Sequence, residues 1–255
     1  METFGGKSIW FHDYMFVDNT YGYVPDDKSL DLLVKKGFKE VYINNTDGLV
    51  KNSFIKKLRK RNFKIYQWIL GPKERNKTIE VPLKDRDGVI FDLETGYQEG
   101  DLQRLIKKWC KNGDKVHLCV PNLFYGIDLY FNYKGYNKAV SEAHLNGIDK
   151  ILVMSYTSYI PTLFEHNFIK YDILKIQKLT PLKVVPIFAV YDYEFPIKYK
   201  LIYDYNYSRL KKIEDQFSEI SYFSWCKSFE MKLKGLDTTL KDELNSLKDL
   251  FQAYS

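Results

Sequence analysis

The 255-residue sequence predicts an α/β fold: one (β/α)8 TIM barrel, a single domain spanning residues 1–255. Three observations predict it. Eight short runs rich in β-branched and aromatic residues recur along the chain, helically spaced segments lie between them, and no Gly/Ser/Pro-rich linker divides a length that suits one barrel.

The strands are expected at Ser8 to Phe16, Glu40 to Asn44, Lys64 to Leu70, Gly88 to Glu94, Lys115 to Val120, Lys150 to Tyr156, Lys183 to Tyr191 and Ile220 to Trp225. Helical spacing marks "KSLDLLVKKGF", "VKNSFIKKLRKRNF", "QEGDLQRLIKKWCKNG", "YNKAVSEAHLNG" and "FIKYDILKIQKLT" between them, and Thr238 to Ala253 as a closing helix. Gly37, Asn62, Gly113 and Gly147 stand where a helix should stop. Residues 71–86 show no convincing helix, which implies a shortened connection. Residues 192–207 read as an elaborated loop on the active face. A doubly wound open sheet is the alternative, but no glycine-rich phosphate fingerprint follows the first strand.

Composition narrows the function classes. The formal charge of +6 is scattered, and the basic run Lys56 to Lys64 reads as a solvated helix face, so no nucleic-acid partner is expected. Cys110, Cys119 and Cys226 lack metal or disulfide spacing, and His12, His117, His144 and His166 are dispersed, so neither a metal nor a cofactor is implied. No run of about 18 apolar residues could span a bilayer, and no leader is visible, which makes a cytoplasmic location the default expectation. Oligomeric state is not legible.

The stretch "DGVIFDLETGY", residues 87–97, carries the chemistry. Alternation puts Ile90, Asp92 and Glu94 on one face of an otherwise apolar strand. In a barrel that face looks inward, and Glu94 stands at the C-terminal rim where barrel enzymes work. Apolar walls and a neighbouring carboxylate favour a neutral carboxyl, as a general acid requires.

"DGVIFDLE" resembles the fourth-strand signature of the family 18 glycoside hydrolases, the chitinase and endo-β-N-acetylglucosaminidase group, Asp-Gly-x-Asp-x-Asp-x-Glu. Asp87, Gly88, Asp92 and Glu94 match, while Ile90 replaces the inner aspartate. "ILVMSYTSY" is similar to the sixth-strand Met-x-Tyr-Asp, with Met154 and Tyr156 matching and Thr157 in place of the aspartate. "VVPIFAVYDYEF" resembles the seventh strand, ending near Tyr191, and "SYFSWCKSF" offers Trp225 for the eighth-strand tryptophan. The third-strand Ser-x-Gly-Gly pattern is absent.

The resemblance implies a glycan substrate with a 2-acetamido group that supplies its own nucleophile. It makes Glu94 the catalytic acid, Asp92 the carboxylate that orients the acetamido group, Tyr156 its hydrogen-bond donor and Trp225 the floor of the sugar subsite. Tyr191 and Asp87 complete the expected substrate-binding set, although Asp87 could equally cap the start of its strand.

Two other readings stand beside this one. Glu194 or Asp192, just past the seventh strand, could face Glu94 as the second carboxylate of an ordinary retaining glycosidase. Alternatively, Ile90 and Thr157 fit a barrel that binds sugar without turning it over. His12, near the same rim in "WFHDYMF", reads as a packed residue or a partner to an acid, not a catalytic group.

Overall fold

In a computed structural model the described residues are 6–16, 23–70, 81–93, 100–121, 133–155, 165–189, 216–226, 229–230 and 233–234. Eight parallel strands pair in chain order and close on themselves, β1 against β8. They are β1 (Lys7–Phe11), β2 (Phe38–Asn44), β3 (Lys64–Leu70), β4 (Gly88–Asp92), β5 (Lys115–Pro121), β6 (Lys150–Met154), β7 (Lys183–Ala189) and β8 (Ile220–Phe223). The described helices are α1 (Asp27–Lys35), α2 (Asn52–Lys60), α3 (Asp101–Trp109), α4 (Tyr133–Glu142) and α5 (Glu165–Gln177). This is a (β/α)8 TIM barrel.

Period-two alternation divides each strand between two cores. Trp10, Tyr42, Tyr66, Trp68, Ile90 and Leu152 fill the barrel. Their neighbours Ile9, Phe11, Val41, Ile43, Val89 and Phe91 face outward and join Leu30, Leu33, Phe54 and Leu58 of α1 and α2 in the layer beneath the helices. The opposite ends of the strands are therefore where polar side chains can gather.

The chain leaves its helices as the sequence predicts at three of the four expected stops. Gly37 and Asn62, just past α1 and α2, and Gly147, just past the 3-10 turn Ala143–Asn146, have φ of 86°, 60° and 75°, the left-handed conformation that ends a helix, whereas Gly113, with φ of 89°, sits in a turn three residues beyond the extended cap of α3 at Cys110. Gly88 has a different reason: a Cβ there would run into the carbonyl oxygen of Lys115, so this residue lets β4 and β5 close at their start.

The first strand is shorter than expected. It ends at Phe11 instead of Phe16, and Asp13–Phe16 turn into a 3-10 helix, with Met15 N donating to His12 O. A buried anchor causes the turn, because Asp13 accepts from Thr46 N at 2.9 Å and holds the chain against the end of β2.

Between β3 and β4, residues 81–87 contain no helix. Buried Gln67 gathers them instead: its amide nitrogen donates to Val81 O, and its oxygen accepts from Leu83 N and Arg86. Arg86 continues to Asp114 and to the Trp109 carbonyl, so a hydrogen-bonded loop covers this part of the sheet. Residues 71–80, residues 192–207 and the expected closing helix Thr238 to Ala253 lie outside the described residues.

Candidate functional site

The C-terminal mouth is built from residues at the ends of β1 to β4 and β8. Asp92 is the last residue of β4 and is 2% exposed. Its register partners are Leu70 on β3 and Cys119 on β5. Trp68 Nε1 donates to Asp92 Oδ2 at 2.9 Å, a bond that holds the orientation of the carboxyl group.

Trp68 also organises the rings around Asp92. It meets Trp10, Phe223 and His12 edge-on, with centroids 5.1, 5.5 and 5.4 Å away. Trp10 is tied down in turn by donating from Nε1 to Ser221 Oγ at 2.8 Å. Among the described residues the C-terminal end of the barrel therefore holds a buried, oriented carboxylate packed among aromatic rings.

A second polar group stands at the tips of β1 and β2. His12 Nδ1 lies 2.8 Å from Asp13 Oδ1, and Asp13 is fully buried. Thr46 links this pair to Asn44: its backbone N–H donates to Asp13, and its hydroxyl donates to Asn44 Oδ1 at 2.7 Å. The sequence singled out His12, but Asn44, Trp10 and Trp68 escaped it because each reads as ordinary strand. Only their inward parity could have flagged them.

Of the expected site residues, Glu94, Tyr156, Tyr191, Asp192 and Glu194 lie outside the described residues, as does Thr157. Ile90 points into the barrel and is fully buried among its rings. Asp87 sits at the other end of β4 from Asp92, where its Oδ2 accepts from Ile65 N at 2.7 Å and from Arg59 at 2.5 Å. These are the contacts of a residue fixing the start of a strand. Trp225 stands in the outer layer, with its ring near Phe11, Tyr23 and Phe229, and does not face the collar. β8 stops at Phe223, two residues before Trp225, so strand alternation does not extend to Trp225.

The opposite end of the barrel holds a charged network. Lys150 binds Glu40 at 2.9 Å and Glu219 at 3.0 Å, and Lys183 binds Glu219 at 2.7 Å. Burial opposes the charge on Lys150, but the two carboxylates outweigh it and raise its pKa. Burial likewise opposes charge on Glu219, yet Lys183 and Lys150 hold its pKa below the usual range. Tyr42 bridges Glu40 to His117 Nδ1, and His117 stacks on Tyr66 at 4.2 Å. Burial, then the nearby lysines, push the His117 pKa well below normal, so the neutral ring donates to Tyr42 while Tyr42 donates to Glu40. Networks at this end of such barrels serve stability.

Among the described residues no group of three His, Cys, Asp or Glu side chains could hold a metal ion. No helix there is long and apolar enough to cross a membrane.

No protein-family model and no curated protein matches the chain. Solved structures do. The carboxyl transferase domain of Rhizobium etli pyruvate carboxylase aligns at 8% identity and a TM-score of 0.53, over 92% of this chain and 43% of that one. The same domain with 3-bromopyruvate aligns at 9% and 0.52, over 89% and 42%. The GH18 chitinase ChiB from the chitin utilization locus of Flavobacterium johnsoniae aligns at 12% and 0.47, over 86% and 87%. The likeness to the carboxyl transferase domain is one of fold alone. This chain spans less than half the length of those transferase chains.

Proposed function

We propose that this barrel is a glycoside hydrolase that cleaves a glycosidic bond in an N-acetylhexosamine-containing glycan by substrate-assisted acid catalysis. The observation that carries the reading is Asp92: an inward, buried carboxylate at the catalytic rim, oriented by Trp68 inside an aromatic collar. In this reading Glu94, two residues further along, protonates the glycosidic oxygen. The substrate's acetamido carbonyl attacks the anomeric carbon, and Asp92 orients the acetamido N–H and stabilises the cation that forms. Tyr156 supplies a hydrogen bond to the acetamido oxygen. The chemistry needs no metal or organic cofactor.

Ile90 changes one step. The inner aspartate of the family pattern can share a proton with its neighbour, whereas the Trp68 indole that meets Asp92 here only donates. With Ile90 in that place, Asp92 has no carboxylate two residues back on its own strand with which to share a proton. The same feature favours the second reading, a sugar-binding barrel without turnover, because the buried Ile90 side chain cannot relay a proton.

The test is release of reducing ends by the wild type from chitin tetramers, peptidoglycan fragments, N-glycans and cello-oligosaccharides. Turnover confined to acetamido sugars supports the proposal. Turnover of plain glucans, lost in Glu194→Gln, transfers the chemistry to the two-carboxylate alternative. Binding without turnover on the whole panel supports the second reading.

A further inference from the structure

The formal charge of +6 is scattered along the sequence, but the fold gathers cations at the N-terminal end of the barrel. There β1, β3, β5, β6 and β7 each begin with a lysine: Lys7, Lys64, Lys115, Lys150 and Lys183. Lys150 and Lys183 bind Glu40 and Glu219, while Asp85, Asp87 and Asp114 are taken by Arg59 and Arg86. Lys64 and Lys115 are exposed and have no carboxylate partner among the described residues. Strand alternation puts both on the inward face, with Tyr66 and His117, and β4 between them begins with Gly88, which brings no side chain to the rim.

Lysines at helix ends have an ordinary explanation. They answer the negative end of the helix dipole, as Lys35, Lys60 and Lys108 do in the last turns of α1, α2 and α3. The lysines that open strands have no such dipole to answer, and exposed Lys39, Lys84 and Lys111 add to them in β2 and in the connections at the same end. Aliphatic side chains are exposed there too. Leu145, in the 3-10 turn before β6, is 75% exposed, and Leu174 and Val34, in the last turns of α5 and α1, are 52% and 43% exposed. Singly such residues are common, but here they stand at the end of the barrel where the unpaired cations gather.

We propose that the N-terminal end of the barrel docks on an anionic lipid surface, with the lysines meeting headgroup phosphates and the aliphatic side chains of the end turns entering the headgroup layer. A single-stranded nucleic acid fits the same charge less well. Its bases are gripped by stacking on aromatic rings, whereas the exposed apolar side chains of these end turns are aliphatic. Docking through this end leaves Asp92 and the opposite mouth facing away from the lipid. The proposal stands apart from the glycan reading, since it uses none of the residues at that mouth.

Sedimentation of the full chain with vesicles tests the proposal. Vesicles of phosphatidylcholine alone are compared with vesicles of equal parts phosphatidylcholine and phosphatidylglycerol. The first variant combines Lys64→Glu with Lys115→Glu, and the second combines Leu145→Ser with Leu174→Ser. A charge-matched control combines Lys28→Glu with Lys51→Glu, two exposed lysines at the starts of α1 and α2, on the opposite end. The wild type is expected to bind the anionic vesicles, less tightly as salt rises, and to leave phosphatidylcholine unbound. Binding should be at least tenfold weaker in the first two variants and within twofold of the wild type in the control, with thermal unfolding of all the proteins within a few degrees. An equal loss in the control reduces the binding to net charge and overturns the docking end. Binding unchanged by the leucine pair overturns the lipid contact. Tighter binding of polyuridylate than of anionic vesicles makes the face a nucleic-acid surface, and no binding to either vesicle leaves no lipid partner; both overturn the proposal.

Discussion

Burying a carboxyl group such as Asp92 is costly unless donors stabilise it, and Trp68 Nε1 is such a donor. Trp68→Phe keeps most of the ring packing but removes that bond. A hydrogen bond to a charged group contributes roughly 1.5–3 kcal/mol, so denaturant unfolding is expected to show about 2 kcal/mol of lost stability. Gly88→Ala acts through the backbone: its methyl collides with Lys115, and a loss of about 3 kcal/mol or more is expected from the same measurement. At this scale the sequence was partly legible. Alternation from Gly88 onward placed Ile90 and Asp92 inward without reference to any other strand. The Trp68 bond was not legible, because it depends on the register of β3 against β4, with Trp68 beside Ile90 and Leu70 beside Asp92. The outer-layer position of Trp225 was illegible for the complementary reason, since parity has no meaning once β8 has ended.

Helices and strands are set by shorter-range rules, and here the sequence was most legible. All eight strands form, and three of the four expected helix stops, Gly37, Asn62 and Gly147, close a helical segment in the left-handed conformation that only Gly, or Asn at modest cost, takes readily. Gly113→Ala meets no atom within 4 Å, so its whole cost is conformational. About 1 kcal/mol of destabilisation is expected in thermal unfolding, while Asn62→Gly should be neutral or slightly stabilising. The premature end of β1 was beyond periodicity. "WFHDYMF" continues the apolar alternation, and what stops it is the bond from Thr46 N to Asp13, made 33 residues away. The loop at residues 81–87 is held by Gln67, again a partner that local sequence does not announce.

At the scale of the whole barrel the two ends divide the work. The N-terminal end closes through Glu40, Lys150, Glu219 and Lys183, with His117 kept neutral by burial and by the surrounding lysines. Because the folded-state pKa of His117 is depressed, the unfolded chain takes up a proton first as pH falls through about 6.5. Stability is then lost by up to about 1.4 kcal/mol per pH unit until the folded ring also protonates. Glu219 adds a second loss at lower pH, since its depressed pKa stabilises the fold above the ordinary glutamate range and that contribution disappears below its folded value. His117→Leu should flatten the stability profile between pH 7 and 5 while leaving the more acidic loss in place, as read by denaturant unfolding across that range.

The C-terminal end holds Asp92 and the aromatic collar, where we propose that glycosidic bonds are hydrolysed. The most direct measurement is reducing-end release from chitotetraose by the wild type, Glu94→Gln and Asp92→Asn, with thermal unfolding confirming that all three fold. The account predicts turnover by the wild type, at least a hundredfold loss in Glu94→Gln and a comparable loss in Asp92→Asn. Turnover that survives Glu94→Gln, or a folded wild type that releases nothing, would contradict it.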